Sequence, residues 1–259
     1  MSLRSGTLRG TALLAGLTGY GFSMAIMVRA GLGLDPWDVF HQGLSIHTGM
    51  TIGVASAVVG VAVLLAWIPL RNRPGVGTIA NVIVIAITVD VGMLLMSAPT
   101  SLPVRIAMML GAVVLNAFST VLYVGAGLGP GPRDGLMTGL VVRTGLSVRL
   151  VRTSIEATVL VVGWLLGGSV GAGTVVYAFG IGPLVQLFVR ITPKRWLAVS
   201  GWAAVAEASK LAIDDRSSER GVDSTRVEEM VGERAGEPDG AGPIAETRGH
   251  DLKGSGCQR

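Results

Sequence analysis

Six apolar runs decide what this chain can fold into. They lie at residues 10–29, 51–70, 76–98, 104–126, 150–167 and 171–189, each about 17–23 residues and poor in charge. At about 1.5 Å per residue, a helix of that length crosses a hydrocarbon core of roughly 30 Å. Every backbone polar group in lipid must be satisfied internally. The expected fold class is therefore all-α, a polytopic transmembrane helix bundle with six spans. Half of the residues are hydrophobic and 15% are charged, against about 25% charged in a soluble domain. A soluble enzyme core does not fit. The first run follows Arg4 and Arg9, but more spans follow it and no clear small-residue cleavage site is visible, so it reads as a retained span.

Basic residues orient the spans. With the N-terminus inside, Arg4, Arg9, Arg71, Arg73, Arg133, Arg143, Arg149, Arg152, Arg190, Lys194 and Arg195 all fall on inner segments, and only Arg29 and Arg105 fall outside. This bias predicts a multi-pass protein of the inner membrane with both termini cytoplasmic. Residues 1–205 hold 13 Lys/Arg against 5 Asp/Glu, and residues 206–259 hold 8 against 12. The basic character thus belongs to the membrane part and carries topology, not nucleic-acid binding. One cysteine, Cys257, and three histidines, His41, His47 and His250, supply neither a disulfide framework nor a metal motif. No cofactor is expected.

The chain repeats itself. Shifted by 96 residues without gaps, residues 30–90 give 18 identities in 61 positions. Two motifs carry the match. The first is G-x-G-x-x-P-x-D, at Gly31, Gly33, Pro36 and Asp38 and again at Gly127, Gly129, Pro132 and Asp134. The second is G-x-G-T, at Gly75, Gly77 and Thr78 and again at Gly171, Gly173 and Thr174. Each copy holds three spans. Three is odd, so the halves enter the membrane in opposite directions, as in the inverted repeats of transporters. The expected organisation is repeat 1 at 1–98, repeat 2 at 99–192, an interfacial helix at 193–213 around Trp196 and Trp202, and a disordered cytoplasmic tail at 214–259.

In the first motif the glycines permit a tight turn, Pro presets the first helical position, and Asp sits in the first turn, where exposed N–H groups favour its charge. Short helices are predicted at 36–47 and 132–143, too short to span, lying at the interface or dipping in as re-entrant half-helices. Asp38 and Asp134 are either capping acids or part of a gate or solute site. His41 and His47 read as interfacial residues, with proton sensing as the alternative. The second motif reads as helix packing.

A charge at the bilayer centre costs roughly 2.5–3.5 kcal/mol on insertion scales. Asp90 and Glu156 therefore stand out as candidates for proton or cation coupling. Arg152, one turn before Glu156, offers it a structural pairing. Asp90 has no cation at that spacing and needs a partner from another helix or a water-filled cavity. Asn81, Asn116 and Gln186 are the next polar groups, lining a cavity or bonding between helices. Small residues such as Gly16 and Gly19 permit a homodimer. No nucleophile–base pair, phosphate loop or dinucleotide fingerprint occurs, so an enzyme is not expected.

The strings GLGLDPWDVFHQGL, RPGVGTI, GLGPGPRDGL and GAGTVVYAFGIGPLVQLF, with Arg149 and Glu156, resemble the YczE/YyaS/YitT group of bacterial integral membrane proteins, its YczE branch above all. The resemblance covers about residues 10–190. It implies a multi-span inner-membrane protein, often taken for a transporter, and names no substrate. At position 133 the second copy carries Arg where Trp37 stands in the first, so the halves need not bind alike. The reading is a secondary transporter or exporter of a small solute in the lipid bilayer. The alternative is a non-transporting accessory protein that docks to a membrane partner.

Overall fold

A computed structural model describes residues 3–192, all within one compact unit. The expected interfacial helix at 193–213 and the tail at 214–259 lie outside the described residues. Those described form eight helices: α1 (Leu3–Ala30), α2 (Pro36–Thr48), α3 (Ile52–Leu70), α4 (Val76–Leu95), α5 (Leu102–Gly125), α6 (Pro132–Thr144), α7 (Val148–Leu165) and α8 (Ala172–Ile191). Five are long and apolar enough to cross a membrane: α1 from Gly6, α3, α4, α5 and α8. The sixth predicted span corresponds to α7, which has 18 residues and carries Arg149, Arg152 and Glu156 in its first three turns. Outward faces carry large apolar side chains, among them Leu65, Leu94, Leu95 and Phe179. A soluble protein hides such a surface, and lipid tails solvate it.

The two short helices form for the reasons their sequences give, at Pro36–Thr48 and Pro132–Thr144. Proline occupies the first turn of each, and left-handed glycines, Gly49 and Gly145, end them. Their starts differ. Asp35 caps α2, its Oδ1 accepting from the N–H groups of Trp37 and Asp38 at 2.9 Å each. The corresponding residue before α6 is Gly131, which offers no side-chain cap.

The central seam is α1 against α5, running antiparallel. A Cβ on Gly16 would lie 2.6 Å from the Tyr123 nitrogen, and one on Gly19 2.4 Å from Ser119 Oγ. This corrects the dimer expectation for these glycines. They are small because α1 must approach α5 within one chain, and Gly16 is buried there. Around the seam, α4 packs on α1 and α8 on α5, α2 packs on α7 and α6 on α3, and α2 touches α3 as α6 touches α7. One pairing lacks its counterpart: α3 packs along α4, whereas α7 does not pack along α8.

The two glycine motifs turn out to be the two sides of one joint, made twice. Gly173 N–H donates to the Leu32 carbonyl at 2.7 Å, and Gly77 N–H donates to the Leu128 carbonyl at 2.8 Å. A Cβ on Gly33 would meet the Gly171 nitrogen at 2.6 Å, and one on Gly75 would meet the Leu128 oxygen at 2.6 Å. Each first motif therefore docks on the second motif of the opposite half, and backbone-to-backbone contact leaves no room for a side chain.

Candidate functional site

The joints bring the starts of α2 and α6 together. Arg133, in the first turn of α6, reaches across to α2. Its guanidinium lies 4.9 Å from the centroid of the Trp37 ring, with Nη2 3.6 Å from Asp38 Oδ1 and Nη1 3.9 Å from Asp35 Oδ1. His41 stands one turn on, its Nδ1 3.4 Å from Asp38 Oδ1. Asp35, Asp38 and His41 are each no more than 2% exposed. The Arg133 side chain retains 29%.

This cluster is buried and incompletely bonded. Asp35 Oδ2, both Asp38 oxygens and His41 Nδ1 have no hydrogen-bond partner. Such groups in a low-dielectric surrounding carry a large desolvation penalty. Burial pushes the Asp35 carboxyl up to about 7, the neighbouring Asp38 adding to the rise and Arg133 opposing it. Burial pushes Asp38 up to about 6, again against Arg133. Burial also pulls His41 down to about 3, so its ring is neutral at pH 7. The carboxylates can therefore take and release a proton near neutral pH beside the Arg133 guanidinium.

Polar groups of α1, α5 and α8 bond to one another, and two tyrosines tie them to the cluster. The Tyr177 hydroxyl of α8 donates to Asn116 Oδ1 of α5 at 3.0 Å, and Asn116 Nδ2 donates to Ser23 Oγ of α1 at 2.8 Å. Tyr20 of α1 and Tyr177 both lie near enough to Arg133 and the two carboxylates to feel their charges. Tyr20 also packs edge-on against Tyr123 at 6.0 Å. A shift of 96 residues carries Tyr20 to Asn116 and Asn81 to Tyr177, so each half contributes one tyrosine and one asparagine with their helices exchanged.

The sequence candidates are distributed unevenly. Asp38 is in the cluster. Asp134 is exposed on the same turn as Arg133, and Asn81 lies by Gly131 at the α6 start, where a Cβ would meet Asn81 Nδ2 at 3.8 Å and Asp134 Oδ2 at 3.3 Å. Asn116 bonds Tyr177 and Ser23 as described. Asp90 lies elsewhere and caps α3, accepting from Thr51 Oγ1 at 2.6 Å and from the Gly53 N–H at 2.9 Å. Its partner from another helix is thus a helix start. Glu156 accepts from Arg152 Nε at 2.9 Å, both side chains more than a third exposed. Gln186 is exposed on α8. No group of His, Cys, Asp and Glu that could hold a metal occurs among the described residues.

Sequence reasoning missed Asp35, Tyr20 and Tyr177, and gave Arg133 only a part in orienting the spans and in the departure from the repeat. The available signal was the pairing of positions: Arg133 replaces Trp37, and Asp35 replaces Gly131, on either side of matched prolines.

A family of unknown function, DUF6198, matches residues 7–190. The chain is 44% identical over 179 residues to an uncharacterized protein of Haemophilus influenzae, covering 69% of this chain and 82% of that one. It is 34% identical over 182 residues to the uncharacterized membrane protein YczE of Bacillus subtilis, covering 69% and 84%. It is 25% identical over 182 residues to the uncharacterized protein YyaS of the same organism, covering 68% and 89%. No solved structure matches. With these relatives and five apolar helices of spanning length, the chain is a multi-pass integral membrane protein.

Proposed function

The chain belongs to the DUF6198 family, and we propose that it is a secondary transporter or exporter of a small solute, coupled to protons at Asp35 and Asp38. The observation that carries this reading is the buried Asp35–Asp38–Arg133 cluster with its unpartnered carboxylate oxygens. Buried ionisable groups in a membrane protein are costly and mark solute or proton paths. Asp90 and Glu156 have structural partners of their own, so the coupling role passes to the cluster.

The architecture we propose is two inverted three-span repeats with α7 as the sixth span. Exchange of α1–α4 with α5–α8 preserves the main helix pairings other than that of α3 with α4, which supports it. In this reading α2 and α6 are re-entrant. Each is about 20 Å long, and their starts meet at Arg133. Gly43 of α2 reaches the end of α7, and Gly139 of α6 reaches the end of α3. The alternation of basic segments puts those two ends on opposite sides. With Cys257→Ser as background, Thr48→Cys is expected to react with an impermeant maleimide in intact cells. Thr144→Cys, its repeat mate, is expected to react only after lysis. Labelling of both from one side removes the inverted repeat.

The function itself is tested in proteoliposomes that report solute-driven proton movement across a solute library. Asp38→Asn is expected to lose that movement at least 10-fold with unchanged abundance, whereas Asp90→Asn is expected to retain it with lowered thermal stability. Full activity in Asp38→Asn sinks the coupling role.

A further inference from the structure

Arg133 is a cation in an unfavourable place. It is the second residue of α6, where exposed N–H groups disfavour positive charge. What holds it is a seat: the Trp37 face at 4.9 Å and the carboxylates of Asp38 and Asp35 at 3.6 and 3.9 Å. None of these contacts is a hydrogen bond by distance. Asp35 Oδ2 and both Asp38 oxygens accept nothing, on side chains at least nine-tenths buried. The seat thus offers an aromatic face, two acidic walls and acceptors without donors. The cation that fills it sits loosely on a flexible stem, with 29% of its side chain exposed.

We propose that this seat is the substrate site, and that the substrate is a small organic cation, a guanidinium or primary ammonium, that displaces Arg133 from Trp37. Its N–H groups supply the donors that the carboxylates lack. The proposal rests on the transport reading in treating the occupant as a substrate. Because the occupant needs ionised carboxylates, a proton and the cation compete for the same groups, and binding of one releases the other. His41, Tyr20, Tyr177 and Asp134 also feel the charge of the seat or of Arg133.

The test uses the full chain in lipid nanodiscs at pH 7, titrated calorimetrically with methylguanidinium and with its neutral isostere methylurea. Buffers of different ionisation enthalpy report the proton. The expected result is saturable methylguanidinium binding with proton release and no methylurea binding. Asp38→Asn is expected to weaken binding at least 10-fold, Arg133→Ala to tighten it by vacating the seat, and Asp90→Asn to leave it unchanged. Equal binding of methylurea, or no methylguanidinium binding by either wild type or Arg133→Ala, overturns the proposal. Binding without flux into proteoliposomes removes the transport reading alone. Proton-coupled flux of another solute without methylguanidinium binding removes the cation class alone.

Discussion

Replacing Gly163 by valine will unseat α2 from α7. A Cβ at this position would lie 2.5 Å from both Cα and N of Phe40 and 2.7 Å from the Val39 carbonyl carbon. These are backbone atoms of a helix that is pinned at one end by Asp35 and Pro36, so no side-chain rotation relieves the clash. Overpacking a core costs about 1–3 kcal/mol where side chains can adjust. Here the cost is at or above about 3 kcal/mol, and the start of α2, with Asp35 and Asp38, moves with it. The expected result is a large fall in melting temperature and in monodisperse yield from mild detergent. Gly111→Val is the control, because nothing lies within 4 Å of a Cβ there. If Gly163→Val is as stable and abundant as Gly111→Val, the α2–α7 crossing described above is wrong.

Removing Arg133 will destabilise the protein strongly at alkaline pH and weakly at acidic pH. Taking one partner from a buried ion pair costs about 3–5 kcal/mol when the remaining charge stays buried. Asp35 and Asp38 have another way out, because they can bind protons. Their carboxyls already stand at about 7 and about 6, raised from 3.8 mainly by burial, and Arg133 is what holds them down. A carboxyl raised in the folded state contributes stability that is whole below about 4 and is lost as pH rises through its folded value. Without Arg133 those values climb further, so at pH 5 both proteins keep the protons and differ little, whereas at pH 8 the variant must either hold the protons against the solution or bury the carboxylates with no counter-charge. His41 does not reverse the sign: lowered to about 3 from 6.5, it stays neutral over this interval in the folded chain. Melting curves of Arg133→Ala and wild type at pH 5 and pH 8 measure the difference. Equal losses at both pH values would show that the guanidinium is not what compensates the carboxylates.

Both predictions concern contacts between the halves, which is where sequence reading ran short. The apolar helices and the two short helices were legible because each is local: apolar length, a proline at a helix start and a glycine at its end act within a few residues. The short helices end within one residue of their expected ends. Asp90 was legible as a residue in need of a partner from elsewhere. That the partner is the start of α3, through Thr51 and Gly53, depends on how α3 and α4 pack. Arg133 looked like a flaw in the repeat when each half was read alone.

The halves are complementary rather than identical. Trp67 fills the space that Gly135 leaves, its ring nitrogen donating to the Pro132 carbonyl at 3.1 Å. In the other half the corresponding positions are Gly163 and Val39, with the large and small residues exchanged. The sequence by itself determined a helical membrane chain, its apolar segments and the short helices between them, because hydropathy and capping are properties of consecutive residues. Only the tertiary structure decided that Arg133 would lie on Trp37 between Asp35 and Asp38. That meeting depends on residues nearly a hundred positions apart, brought together by glycine joints whose partners lie in the opposite half.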